Sequence, residues 1–120
     1  MNKQQPDGLG SFEQLVLTAV LALGDDAYGM AVHARVIALG GKPVKLGPVY
    51  VTLDRMERKG LLSSWLTEPL PERGGRSKRC YRLEGPGKRA LQESAVTAKR
   101  VYETVEGSWR FGKWRPSQIK

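Results

Sequence analysis

Cysteine and histidine are nearly missing from this chain, and each scarcity closes a class of function. The single cysteine, Cys80, rules out an internal disulfide framework and fits a reducing compartment. The single histidine, His33, falls on a predicted helix with no Cys, Asp or Glu cluster beside it. It reads as a structural or surface residue, and neither a metal nor a cofactor is expected. Long apolar runs are lacking too. None approaches the ~20 residues of a membrane-spanning helix, and the opening MNKQQPDG is polar throughout. No signal peptide or membrane anchor is expected, and the protein reads as soluble and cytoplasmic. Acids are the third scarcity: 12 Asp and Glu face 20 Lys and Arg, a net charge of +8. That balance suits a polyanionic partner, either nucleic acid or an acidic membrane face, and charge alone does not choose. No nucleophile, base and orienting group stand at usable spacing and no glycine-rich phosphate loop occurs, so the chain does not read as an enzyme.

At 120 residues the chain is long enough for one domain, burying roughly two-thirds of its unfolded surface. Residues 1–10 are polar, contain Gly and Pro, and read as a flexible N-terminal segment. Ser11 is expected to open the first helix, with Gln14 completing a capping box. Phe12, Leu15, Val16, Ala19, Val20 and Leu23 then form a buried stripe, while Leu17 and Leu21 place apolar surface on the far side. A short helix that is apolar nearly all round needs cover twice, once from its own core and once from a partner, which points to a dimer. Asp26 is the expected N-cap of a second helix, Tyr28 to Leu39, with Val32, Val36, Ile37 and Leu39 in the core and His33 and Arg35 outward. Gly40-Gly41 ends it, and Lys42 to Leu46 has room for a turn and a very short strand.

The most informative stretch is KLGPVYVTLDRMERKGLL, Lys45 to Leu62. It predicts a helix with a first-turn proline, Pro48, and a stop at Gly60. Val49, Thr52, Leu53 and Met56 share the core side, leaving Tyr50, Val51, Asp54, Arg55 and Arg58 outward. An outward valine among guanidinium forks and a phenol suits a DNA major groove, which offers acceptors, phosphates and thymine methyls. Two helices joined by a compact turn, the second with this face, make a helix-turn-helix pattern.

Leu61 to Glu68 and Lys78 to Leu83 read as two strands of a hairpin around the turn-rich PLPERGGRS. In the return strand Tyr81 and Leu83 alternate with Cys80 and Arg82. Arg73, Arg76, Lys78, Arg79 and Arg82 lie in a run without an acid. One or two lysines would keep an edge strand from pairing; this many cations point instead to a phosphate backbone or a minor groove. A last helix is expected from about Pro86 to Glu106. Its Leu91, Ala95, Ala98, Tyr102 and Val105, continued by Trp109, follow heptad spacing. The closing stretch adds Phe111 and Trp114 among Arg110, Lys113 and Arg115.

This order of elements, with AYGM, LGPVYVTLDRMERKGLLSS, ERGGRSKRCYRL and PGKRAL, resembles the PadR family of winged-helix transcriptional regulators over about Leu9 to Glu106. One helix after the hairpin marks the short-tailed branch. The family pattern usually has a small residue or threonine at position 48 and an aromatic at position 80. The resemblance implies a mainly α fold with a small β-hairpin: a winged helix-turn-helix over 11–84, a dimerisation helix over 85–107 and a basic aromatic tail over 108–120. It implies a homodimer with interlocked first and last helices that represses transcription at a pseudo-palindromic operator. Double-stranded DNA is then expected to meet Arg55 and Arg58 at guanines or phosphates, Tyr50 and Lys45 at phosphates, Val51 at a methyl, and Arg73, Arg76 and Lys78 in the wing. The dimer seam is expected to use Phe12, Leu17, Leu21, Leu91, Ala98, Tyr102, Val105 and Trp109. A small aromatic effector would sit near Tyr102 and Trp109. The competing expectation is a basic winged helix that senses an effector or binds an acidic protein, without specific DNA.

Overall fold

A computed structural model describes residues 8–69, 71 and 74–110, with the side chain of Arg110 outside the description. The elements are α1 (Ser11–Leu23), a 3-10 turn (Gly24–Asp26), α2 (Gly29–Gly40), α3 (Leu46–Arg58), β1 (Leu62–Leu66), β2 (Arg79–Leu83) and α4 (Gly85–Arg110). This is the expected mainly helical chain with a two-stranded antiparallel hairpin.

The core is built around α1. Val16, Leu17, Ala19 and Val20 are buried against Val32 and Val36 of α2, Val49, Leu53 and Met56 of α3, and Tyr81 and Leu83 of β2. At roughly 1.5–3 kcal/mol for each large side chain taken out of water, this cluster is the principal source of stability. It also corrects the expectation for Leu17, which has no exposed surface to offer a partner. The reason is geometric: α2, α3, α4 and β2 all pack against α1, so the chain itself covers most of its circumference. Phe12 is half-buried on this core and only Leu21 stands well exposed. Leu91 is likewise buried in the chain's own core rather than on a dimer seam, because the first turns of α4 rest on α1 and β2.

Helix ends differ from expectation in two places, and one connection differs as well. Ser11 is the first helical residue rather than the cap; Gly10 takes that position, and its N–H donates to Glu13 Oε1 at 2.9 Å. Asp26 does not cap α2, because the 3-10 turn holds it and Tyr28 is the N-cap, without a side-chain bond. The connection before α3, which has room for a very short strand, forms none among the described residues; there His33 Nε2–H donates to the Val44 carbonyl at 2.6 Å and ties α2 to that connection. His33 is thus half-buried and structural, and Leu39, expected in the core, is exposed.

Pro48 lies in the first turn of α3, where no intrahelical bond is lost. At the other end Gly60 has φ 80°, its N–H donates to Glu57 O at 2.9 Å, and the Leu61 N–H donates to Met56 O at 3.0 Å. This is a Schellman closure, and it turns the chain directly into the hairpin. The strands pair Leu62 with Leu83 and Trp65 with Cys80. A further bridge joins Tyr28 to Cys80, and the Tyr81 N–H donates to Ala27 O at 2.9 Å. Covered from that side, Cys80 is buried together with Tyr81 and Leu83, so the simple alternation expected of the return strand does not hold. Burial pushes the Tyr81 phenol above its ordinary pKa.

α4 continues through Gly107 to Arg110, so Trp109 lies on the same helix as Tyr102 and Val105. Its root is fixed at Leu61, whose carbonyl accepts the Glu84 N–H at 3.0 Å. A Cβ on Gly87 would stand 2.1 Å from that same oxygen, so only glycine lets the helix pass. Overpacking against backbone costs on the order of 1–3 kcal/mol. Gly87→Ala should therefore lower the urea midpoint by an amount on that scale; an unchanged midpoint would show that the crossing at Leu61 is not tight.

Candidate nucleic-acid interface

α3 divides cleanly. Val49, Thr52, Leu53 and Met56 are buried, and the helical period places Gly47, Val51, Asp54 and Arg58 opposite them. Val51 is 60% exposed and Tyr50 41%. A single exposed valine is ordinary in itself; on this face it stands among polar and cationic side chains that can bond to a base edge or a phosphate. Arg58 is bonded to Asp54 one turn earlier, an exposed i,i+4 pair. Asp54 is therefore the acid at the centre of this face, and it shares the Arg58 guanidinium with any outside acceptor.

Arg55 sits on the flank rather than the outward face. Its Nη2 donates to Glu13 Oε2 at 3.2 Å, across to the start of α1. With Oε1 on Gly10 and Oε2 on Arg55, the Glu13 carboxylate joins the cap of α1 to α3. The Gly10 N–H is the main influence holding its carboxyl below the ordinary 4.5; partial burial opposes it, and Arg55 and Lys59 add to the lowering. Arg55 thus carries a structural bond, with part of its guanidinium still exposed. Nothing in the spacing of residues 13 and 55 signalled this pair.

The hairpin stands beside α3. The Lys78 ammonium lies 3.8 Å from the centroid of Tyr28, and the Arg82 guanidinium lies 4.7 Å from that of Trp65. Arg79 Nη1 donates to Ser64 Oγ at 2.9 Å. These cations have seats on the hairpin and its neighbour, which fixes their stems while leaving their charge. Arg76 is exposed near the tip and Lys45 is exposed as the N-cap of α3. Arg73 lies outside the described residues, as do Phe111, Lys113, Trp114 and Arg115 of the tail.

Beyond Leu91, most of α4 is exposed. Ala98 is exposed, as are Val96, Val101, Tyr102, Val105 and Trp109. Tyr102 Oη donates to Glu106 Oε2 at 3.0 Å, which raises the phenol pKa. A groove of about 470 Å³ runs between Leu9, Gln14, Ala90, Ser94 and Ala98, and one of about 530 Å³ lies along Arg89, Val96 and Arg100. Neither reaches Tyr102 or Trp109, where an effector was expected. Among the described residues no helix is long and apolar enough to cross a membrane.

Residues 17–93, well over half of the chain, match the model of the transcriptional regulator PadR-like family. No curated protein matches the chain in sequence. Among solved structures, it is similar to a PadR family transcription regulator from Clostridium difficile R20291, with 26% identity, TM-score 0.67, and 82% of this chain and 97% of that one covered. A PadR family transcriptional regulator from Eggerthella lenta is 25% identical, with TM-score 0.60 and 78% of each chain covered. A PadR-like transcription factor from Bacteroides fragilis is 26% identical, with TM-score 0.60, covering 79% of this chain and 86% of that one.

The lowered Glu13 pKa has a definite sign. A carboxyl with a depressed folded-state value adds stability that is complete above its unfolded pKa and is lost as pH falls through the folded one. Glu13→Gln should therefore lower the thermal midpoint at pH 7, and the gap from the native chain should close as pH falls below about 4.5. A gap independent of pH would mean that the Glu13 charge contributes nothing.

Proposed function

The chain belongs to the PadR-like family of transcriptional regulators, and on that premise we propose that it is a cytoplasmic homodimeric repressor acting on a pseudo-palindromic DNA operator. The observation that carries this reading is the exposed α3 face: Val51, Asp54 and Arg58 point outward with Tyr50 at the edge, beside a hairpin bearing Arg76 and Lys78. In the major groove Val51 supplies the methyl contact and Arg58 a guanine or phosphate contact. Asp54 orients Arg58, and it can accept from a cytosine amine. Lys45 and Tyr50 reach phosphates, which set the register without reading sequence. Arg55 is a phosphate contact from the flank, braced by Glu13. The wing cations Arg76, Lys78 and Arg73 follow the backbone beyond the groove.

The second copy is supported by α4. A helix with Val101, Tyr102 and Val105 exposed leaves an apolar seam uncovered, and a matching seam from an identical chain covers it with two-fold symmetry. Leu21 of α1 and Phe12 at its start border that contact, while Ala98 allows close approach. The two α3 helices then lie about 34 Å apart, one turn of the duplex.

Selection of bound duplexes from a random library, followed by titration of the winner against salt, tests the reading. A two-fold symmetric motif with a steep salt slope is the expected result, and weak, motif-free binding would move the search to an acidic protein partner. With that duplex Arg58→Ala should lose about 1–3 kcal/mol and relax preference at one position if Arg58 reads a base. Tyr102→Glu should yield monomers in sedimentation and lose binding, whereas a native chain sedimenting as a monomer would dismiss the homodimer.

A further inference from the structure

Gly29 opens α2 with an ordinary helical backbone, since the glycines of positive φ among the described residues lie elsewhere, at Gly24, Gly41, Gly60, Gly74 and Gly75. Alanine is the better helix former, so backbone conformation does not call for glycine at position 29. Tyr50 does. A Cβ on Gly29 would stand 2.2 Å from Tyr50 Oη and 2.4 Å from its Cε1 and Cζ. The outer edge of the phenol therefore lies flat against the α-carbon of Gly29. Tyr28 serves the hairpin in a similar way. Its ring carries the Lys78 ammonium at 3.8 Å, and its backbone bridge to Cys80 fixes how far that ring stands from β2.

We propose that Tyr28 and Gly29 form a positioning pair that sets the relative placement of Tyr50 on α3 and Lys78 on the hairpin wing. The inference rests on the DNA-binding reading and extends it to two adjacent residues that act through other side chains. Tyr50 and Lys78 come from different elements, yet both rest on consecutive residues at the start of α2. A methyl group at position 29 expels the Tyr50 ring. The fold loses little, because the ring edge is the far end of a half-exposed side chain, but the phenol no longer meets the phosphate it was aimed at. Leucine at position 28 keeps apolar bulk and removes the π face, so Lys78 loses its seat.

The test is affinity for the selected duplex. The native chain is compared with Gly29→Ala, Tyr50→Ala and the double variant, and separately with Tyr28→Phe and Tyr28→Leu. Gly29→Ala should bind about tenfold more weakly, the scale of coupling between residues in contact, with a thermal midpoint near that of the native chain. In the Tyr50→Ala background the same change should have almost no effect, since no ring remains to displace. Tyr28→Phe should bind as the native chain does, and Tyr28→Leu more weakly with a shallower salt slope. Native affinity in Gly29→Ala, an equal loss in both backgrounds, or a collapse of its thermal midpoint would each overturn the proposal by placing the effect in α2 itself. Equal binding by the two Tyr28 variants would remove Tyr28 from the pair. If the native chain binds no duplex, the DNA reading fails and this inference with it; if the native chain binds and the variants bind equally, only this inference fails.

Discussion

The encasement of α1 is the constraint on which the rest of the structure depends. A thirteen-residue helix with apolar side chains on nearly every face has no stable place on the surface of a small domain. Here α2, α3, α4 and β2 close around it, and each then has one face committed to the core. For α3 that commitment decides the rest of the molecule. Once Val49, Thr52, Leu53 and Met56 are turned inward, Val51, Asp54 and Arg58 have no direction left but outward. The face offered to a ligand is the complement of the face demanded by packing.

Charge on this surface is arranged rather than merely abundant. Arg58 leans on Asp54, Arg55 on Glu13, Lys78 on the Tyr28 ring and Arg82 on the Trp65 ring. An exposed pair such as Arg58–Asp54 adds little to stability, typically under about 1 kcal/mol. The effect of these pairings is to reduce the side-chain freedom that would otherwise be lost on meeting a polyanion. The net charge of +8 supplies long-range attraction, and the pairings decide where that charge is held.

The order of elements, the buried stripe of α3, the hairpin and the long last helix were all legible in the sequence, because each rests on local periodicity or on punctuation by Gly and Pro. What remained hidden depended on contacts between distant residues. Leu17 looked like partner surface because periodicity counts faces, but it cannot count how many neighbours a helix has. Leu91 fitted a heptad and proved to be core for the same reason. Arg55 read as outward until the carboxylate of Glu13, far away in sequence, took one edge of its guanidinium. Cys80 broke the alternation of its strand because the segment at Ala27 and Tyr28 covers it from the side. The need for glycine at positions 29 and 87 came only from what lies opposite them. Arg73 and the tail beyond Arg110 fall outside the described residues.

The junction at Leu61 has a mechanical side. The closure of α3, the end of β2 and the root of α4 all meet at this one residue, through the Leu61 N–H, the bond to its carbonyl and the contact with Gly87. Beyond Leu91, α4 extends nineteen residues to Arg110, a rod of about 28 Å. Its root lies at the residue where α3 closes. A swing of about 5° at the root moves the tip by about 2.5 Å for a rod of that length. In the reverse direction, a displacement of about 2.5 Å at the far end corresponds to only about 5° at the base, so travel along α4 is a small angular change where the helix joins Leu61.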